Sequence, residues 1–233
     1  MTTSRGELRG HLLASSHIQE AILSGRMQVG DRLPGERELS AELGVSRGAV
    51  REAIRGLQAY GVLESSPGPG RGTRIIAMQG RALSRMFQLH LATASQSEND
   101  LSETRVALER ATCALAARQH TLADLGRLEE LIDEMDGTDE LTEYNDLDTS
   151  FHMEIAVVAG NPLLADLTLA IREALRSPIH RASLRMEDWQ RLRSVLCEEH
   201  RGIYEAIATG NGALAADRVD AHIRSSAGAL FLS

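Results

Sequence analysis

The sequence predicts a mostly α-helical protein in two parts, a small helix-turn-helix unit bearing a β-hairpin and then an all-helical bundle. Three observations lead there. Residues 30–76 combine helical apolar spacing, a Gly-centred turn and two short strand-like runs around a Pro/Gly tip. Beyond Arg81 the apolar residues recur only at helical spacing, in segments stopped by Gly, Asn and Pro. Aromatic residues make up 3% of the 233-residue chain, so Leu, Ile, Val and Ala must build the cores, as suits packed helices.

In chain order, residues 1–6 show no apolar period and are expected to be disordered. The series Leu8, Leu12, Leu13, Ile18, Ala21 and Ile22 predicts a first helix over Glu7–Ser24, stopped at Gly25. Asp31–Gly44 holds a second helix and Ser46–Tyr60 a third, with the tight turn Leu43-Gly44-Val45 between them. Ser46 suits an N-cap, because its hydroxyl can satisfy a free N–H of the first turn. In the third helix Ala49, Val50, Ala53, Ile54 and Leu57 can pack on the second. Arg47, Arg51 and Arg55 share another face, since residues four apart are neighbours on a helix. Val62–Ser65, a tip reaching Gly70 and Arg71, and Thr73–Ile76 read as a hairpin, a wing beside a recognition helix. The winged helix-turn-helix domain is therefore expected over residues 7–77, with Ala77–Gly80 as linker.

The bundle is expected over residues 81–231. Arg81–Ala94 is helical, Ser95–Asp100 is a polar break, and Leu101–Gln119 and Thr121–Met135 are helices, the latter opened by a Thr-x-x-Asp cap. Leu141–Ala159 follows and is stopped by Gly160-Asn161-Pro162. Pro162–Arg176, Glu187–Ala208 and Ala213–Phe231 complete six or seven helices.

Charge separates the two parts. All 25 basic residues are Arg, and the net charge is −8. Residues 1–80 hold ten Arg against eight acids, a balance of +2, and the rest fifteen against twenty-five, −10. Nucleic-acid binding is thus confined to the first part, and the acidic body should face away from phosphates. Cys113 and Cys197 stand in no metal or redox spacing, and the sequence shows no signal peptide, which points to the cytoplasm. No apolar run is long enough to span a membrane.

One constellation in the bundle has chemical content. Asp148 and His152, four residues apart, share a helix face; His200 lies on the next-to-last helix and His222 on the last. Three imidazoles and a carboxylate can hold a divalent metal with positions left for water or ligand. Spacing alone does not make them ligands, since a lone His on a helix is usually an exposed or hydrogen-bonded side chain.

The first part resembles the winged helix-turn-helix of the GntR family of bacterial transcription regulators. The resemblance rests on Leu33–Leu39 (Leu-Pro-x-Glu-Arg-x-Leu), Gly44-Val-Ser-Arg47, Val50-Arg-Glu-Ala53 and Gly70-x-Gly-Thr73. It departs at Gly48, where relatives often carry a hydroxyl residue. The second part resembles the FCD-type effector domain of the FadR branch, on Asp148-x-x-x-His152 with Phe151, on His200 and His222, and on Ala159-Gly160-Asn161-Pro162.

These resemblances imply a homodimeric, cytoplasmic regulator, a repressor, that places one recognition helix in each half-site of a near-palindromic operator. They assign Arg47 and Arg51 to base edges or adjacent phosphates, Arg37 to the start of the helix pair, Ser46 to a phosphate as well as the cap, and Gly70-Arg71 to the minor groove or backbone. They assign Asp148, His152, His200 and His222 to a divalent metal, zinc first, with nickel and manganese also fitting. Arg105 is assigned to the carboxylate of a small effector, the alternative being an intrahelical pair with Glu109. For Arg51 the alternative is a salt bridge to Glu52 or Glu36. The wing and linker, through Gln79–Ser84, are similar to those of lactate-responsive members, which suggests a 2-hydroxy acid. Two rival readings are a metal sensor, in which the metal is itself the signal, and a metal-dependent enzyme, for which no general base accompanies the four residues.

Overall fold

Gly44 turns the chain between the two helices that matter most in the N-terminal unit. It sits at φ 64°, a left-handed conformation natural to glycine, and closes α2 (Glu36–Leu43) with its N–H on the carbonyl of Ser40. Ser46 then opens α3 (Arg47–Ala59), its hydroxyl accepting from the N–H of Ala49 at 3.1 Å. The chain is described here by a computed structural model that covers residues 2–66, 68, 72–77, 80–93, 97–186 and 188–231. It divides into two compact units, residues 1–82 and 83–233.

In the first unit α1 (Thr2–Leu23) packs on α3, and Gly10 permits the close approach: a Cβ there would lie 3.1 Å from that of Ala49. The helix starts at Thr2, so the expected disorder of residues 1–6 does not hold where it is described. Local backbone hydrogen bonding continues the helix ahead of its first apolar residue. The core joins Ile18 of α1, Leu39 of α2, and Val50, Ala53, Ile54 and Leu57 of α3 with Leu63 and Ile75. Those last two are the hairpin's contribution, from β1 (Leu63–Ser66) and β2 (Gly72–Ile75), antiparallel with Leu63 opposite Ile75. Each such fully buried aliphatic side chain is worth about 1.5–3 kcal/mol. Arg32 makes an isolated antiparallel bridge with Arg74 of β2. Gly70 and Arg71 at the wing tip lie outside the described residues.

The second unit contains α4 (Gly80–Thr93, which begins at its border), α5 (Glu98–Gln119), α6 (Leu122–Gly137), α7 (Leu141–Val158), α8 (Pro162–Ser183), α9 (Trp189–Ala208) and α10 (Gly212–Phe231). Two capping boxes set the starts of α5 and α6: Ser97 with Asp100, and Thr121 with Asp124. Gly160, at φ 66°, ends α7, and Asn161 caps α8. α5 is the central helix, packing along α10 and against α7, α8 and α9. Its Val106, Cys113, Ala116 and Ala117 join Phe151 and Ile155 of α7, Ile203 and Ile207 of α9 and Val219 and Ile223 of α10 in one core.

The sequence expectation for α8 fails at its end. The helix runs past Arg176 and through Pro178 to Ser183. Proline removes one backbone donor there, but the loss of a single hydrogen bond is tolerated where a helix is held on both sides of it. Ile171 and Leu175 are buried before the proline, and Ser183 after it. Among the described residues no helix is long and apolar enough to cross a membrane.

Candidate functional site

Three helices of the bundle, α7, α9 and α10, bring Asp148, His152, His200 and His222 together. Each offers one donor atom, and the four atoms lie within 4.8 Å of one another. His200 Nε2 is 3.0 Å from Asp148 Oδ1 and 3.3 Å from His152 Nε2. The Nε2 atoms of His152 and His222 lie 3.8 and 3.9 Å from the same oxygen. With bonds of about 2.1 Å, neighbouring donors around one ion would stand about 3.0–3.4 Å apart, close to the two shorter separations. The three imidazoles are buried and the Asp148 side chain is 21% exposed, so one side of the cluster is open.

The far nitrogens of the rings explain why the near ones converge. His152 Nδ1 donates to Glu109 Oε2 at 2.8 Å, and His222 Nδ1 donates to Glu199 Oε2 at 2.9 Å. A carboxylate can only accept, so these Nδ1 atoms carry the hydrogens and a neutral ring presents its Nε2 lone pair to the centre. His200 Nδ1 meets the Tyr144 hydroxyl at 3.4 Å, a looser contact. Burial, then the nearby Arg172 charge, pushes the His152 imidazole down to about 3, so it is neutral near pH 7. Burial and then His222 lower that of His200 as well. Burial alone would raise the Asp148 carboxyl, but Arg172, His200 and His152 together hold it well below the usual carboxylate range. The result is a set of lone pairs and one carboxylate facing a common point. Such a set is chemically suited to a divalent cation.

Arg105 stands in α5 with its Nε 3.0 Å from Glu109 Oε1, the intrahelical alternative, and the pair is buried. Arg105 also lines two small cavities of about 30 and 20 Å³, both of which Asp148 borders too. Arg172 of α8 is the unforeseen member. It is 4% exposed and donates to Glu109 Oε2 at 2.6 Å and to Asp148 Oδ2 at 3.0 Å. Glu109 therefore binds Arg105, Arg172 and His152 at once.

In the other unit, Ser46 caps α3, and Arg37 and Arg47 are exposed. Arg51 is not free on the helix face. It makes a two-pronged contact with Glu36 of α2, at 2.7 Å from Nη2 and 3.1 Å from Nε. This is one of the pairings the sequence left open for it. Arg55 pairs with Glu52 at 2.8 Å.

Residues 14–75 match the family of bacterial regulatory proteins called gntR, and residues 100–225 match the FCD domain. The chain belongs to the gntR family. This family member is 32% identical, over 87% of its own length and 92% of the relative's, to the HTH-type transcriptional regulator LutR of Bacillus subtilis strain 168. It is 27% identical, over 90% of its length and 81% of the relative's, to the proposed regulatory protein of an L-lactate dehydrogenase operon in Escherichia coli K12. The solved structure of Streptococcus agalactiae GntR covers 91% of this chain, and 96% of that chain is matched, at 27% identity and a TM-score of 0.62. This gntR-family protein, of the FadR-like subfamily with an FCD domain, is a transcriptional regulator and not an enzyme.

Sequence reasoning on this gntR-family chain missed Arg172, Tyr144 and the roles of Glu109 and Glu199. The available signal for Arg172 was a lone cation inside an apolar stripe, between Ala170, Ile171 and Leu175, all buried. The pairing of Glu109 with Arg105 is the alternative that the sequence offered; its further contacts with Arg172 and His152 cross between helices and have no local signal.

Proposed function

We propose that this regulator binds a divalent metal through Asp148, His152, His200 and His222, and that a small carboxylate effector binds beside it and controls operator binding. The observation that carries the reading is the convergence of four donor atoms, with two of the three imidazoles fixed by carboxylates on their far side. Zinc suits an imidazole and carboxylate set, as do nickel and manganese. When bound, the ion supplies a Lewis-acidic coordination position for an anion's oxygen.

Charge supports an anionic effector. Buried Arg105 and Arg172 are balanced by Glu109 and Asp148, so a divalent ion leaves the pocket with surplus positive charge. The relatives named for lactate metabolism favour a 2-hydroxy acid such as lactate. In the N-terminal unit, Arg37, Ser46, Arg47 and Arg51, with Gly70 and Arg71 of the wing, form the DNA-contacting set. Two copies of the chain would place two recognition helices in the half-sites of a near-palindromic operator. If the effector favours the state with the lower operator affinity, its binding releases a repressor from the operator.

A metal-sensor reading is favoured by one feature, the small volume of the two cavities beside the cluster. One experiment separates the readings: melting temperatures of metal-loaded and chelated protein across a set of short acids. Stabilisation by one acid, only with metal, supports the effector reading. Stabilisation by metal with no increment from any acid, and operator affinity that follows metal occupancy, supports the sensor. No response to metal overturns both.

A further inference from the structure

Residues that line the cavities beside the cluster carry buried hydrogen-bond donors that have nothing to bond. Five buried side-chain nitrogens among the described residues have no partner, and three of them, Asn145 Nδ2, Trp189 Nε1 and Arg172 Nε, belong to residues that line these cavities. An indole and a guanidinium can only donate, so at least two of the three require an acceptor. A buried donor left unsatisfied costs stability, and its persistence at a cavity wall points to what fills the cavity.

The donors are divided between two lobes. Arg105, Asn145, Asp148 and Ile179 border both. One lobe adds Arg172 and Arg176, and so is lined by three arginines with Arg105. The other adds Trp189, Tyr144 and His222, backed by Leu192 and Leu196. Trp189 is held in place edge-on to Tyr144, with ring centroids 5.3 Å apart, and Tyr144 in turn meets His200. The indole N–H is thus positioned by the same side chain that touches a member of the cluster. A cavity of about 30 Å³ has room for about two or three water-sized groups, which limits the occupant to a short molecule.

We propose that Trp189 and Asn145 select the effector by reading a second acceptor oxygen. The site then takes a short acid that bears a hydroxyl, carbonyl or second carboxylate oxygen beyond its first carboxylate, and discriminates against a plain alkanoate. This rests on the carboxylate-effector reading given above. A plain alkanoate would satisfy the guanidinium lobe but leave the indole and amide donors buried and unpaired. That is the situation in which polar sites reject an analogue lacking one oxygen.

The test is isothermal titration calorimetry on the full-length, metal-loaded protein with propanoate, lactate and malonate. The variants are Trp189→Phe, which keeps the ring and removes the N–H, and Asn145→Leu, which removes the amide. Melting temperature and metal content confirm that each variant is folded and loaded. The wild type should bind lactate or malonate at least roughly tenfold more tightly than propanoate. In one or both variants that ratio should fall towards one, with propanoate affinity within about twofold of wild type. A wild type without preference, or a preference kept in both variants, overturns the assignment of Trp189 and Asn145 while leaving the carboxylate reading intact. Failure of the wild type to bind any of the three acids overturns the carboxylate reading, and this inference with it.

Discussion

His152 and Glu109 are joined across α7 and α5 by a 2.8 Å hydrogen bond, and each side chain is 1% exposed. The bond does two things. It commits the Nδ1 hydrogen of the ring and so turns the Nε2 lone pair to the cluster, and it ties a would-be metal ligand to the two arginines of the pocket. Burial would raise the Glu109 carboxyl, but Arg172, Arg105 and His152 keep it well below the ordinary range, so it is an anion under all physiological conditions. Glu109 is the residue through which the histidine cluster and the two buried arginines meet.

Glu109→Gln should therefore weaken metal binding without touching a ligand. Second-sphere losses of this kind cost roughly 10–100-fold in affinity. The variant should also lower the melting temperature of metal-free protein, because two buried guanidiniums lose an anion they share, a change worth about 3–5 kcal/mol when a buried pair is broken. Competition with a chromophoric chelator measures the first effect. Unchanged metal affinity would mean that His152 is oriented by packing alone.

Replacing a ligand should give a different pattern. For the wild type, saturating metal should raise the melting temperature, by about 2.7 kcal/mol of stability at a hundredfold excess over Kd, and a chelator should reverse it. His200→Ala should abolish that response. His200 makes the two short contacts of the cluster, with Asp148 and His152, so its loss removes the donor nearest to both. A full metal response in His200→Ala would sink the assignment of these four residues.

The two sites were legible in the sequence to different depths, for reasons visible in particular residues. Asp148 and His152 are four apart on one helix, so local geometry alone places them together, and the fold adds His200 and His222. The turn at Gly44 and the cap at Ser46 are likewise local chemistry and were readable as such. Arg172 was not, because its meaning is a contact between α8 and α5 with no local signature. The continuation of α8 through Pro178 was hidden for the same reason, since the proline argues for a stop and only packing overrides it. Arg51 was ambiguous because the same face of α3 that was expected to meet DNA also carries the pair with Glu36 of α2, and nothing local separates the two readings.

Two helix-associated glycines should respond to alanine with opposite signs. Gly126 is exposed within α6, and a Cβ there would meet nothing within 4 Å. Gly126→Ala should stabilise the protein by about 0.5–1 kcal/mol, through lower unfolded-state entropy and better helix propensity. Gly160, just beyond α7, sits at φ 66°, and a Cβ would lie 2.7 Å from Gln119 Oε1. Gly160→Ala should destabilise by about 1–2 kcal/mol. Denaturant midpoints at unchanged slope report both. If the two changes share a sign, the backbone assignment at one of these positions is wrong.

The pairing of Arg51 with Glu36 makes a prediction about DNA. Glu36 holds the guanidinium with two prongs, at 2.7 and 3.1 Å, on an exposed surface beside Arg47. Arg51, first through this hydrogen bond, lowers the Glu36 carboxyl, so the carboxylate is charged near pH 7 and would face phosphates when α3 enters a groove. If Arg51 contacts DNA, it must leave Glu36 or carry it along, and either course penalises binding. Glu36→Gln should then tighten binding to duplex DNA selected by the wild type, and Arg51→Ala should weaken it by roughly tenfold or more. Neither should move the melting temperature far, because an exposed pair of this kind contributes little to folding. If Arg51→Ala weakens every duplex equally and flattens the salt dependence by about one unit of slope, Arg51 binds a phosphate; if the loss is confined to the selected sequence, it reads a base. If neither variant changes DNA affinity, the Arg51–Glu36 pair is a brace between α2 and α3, and recognition falls to Arg37 and Arg47.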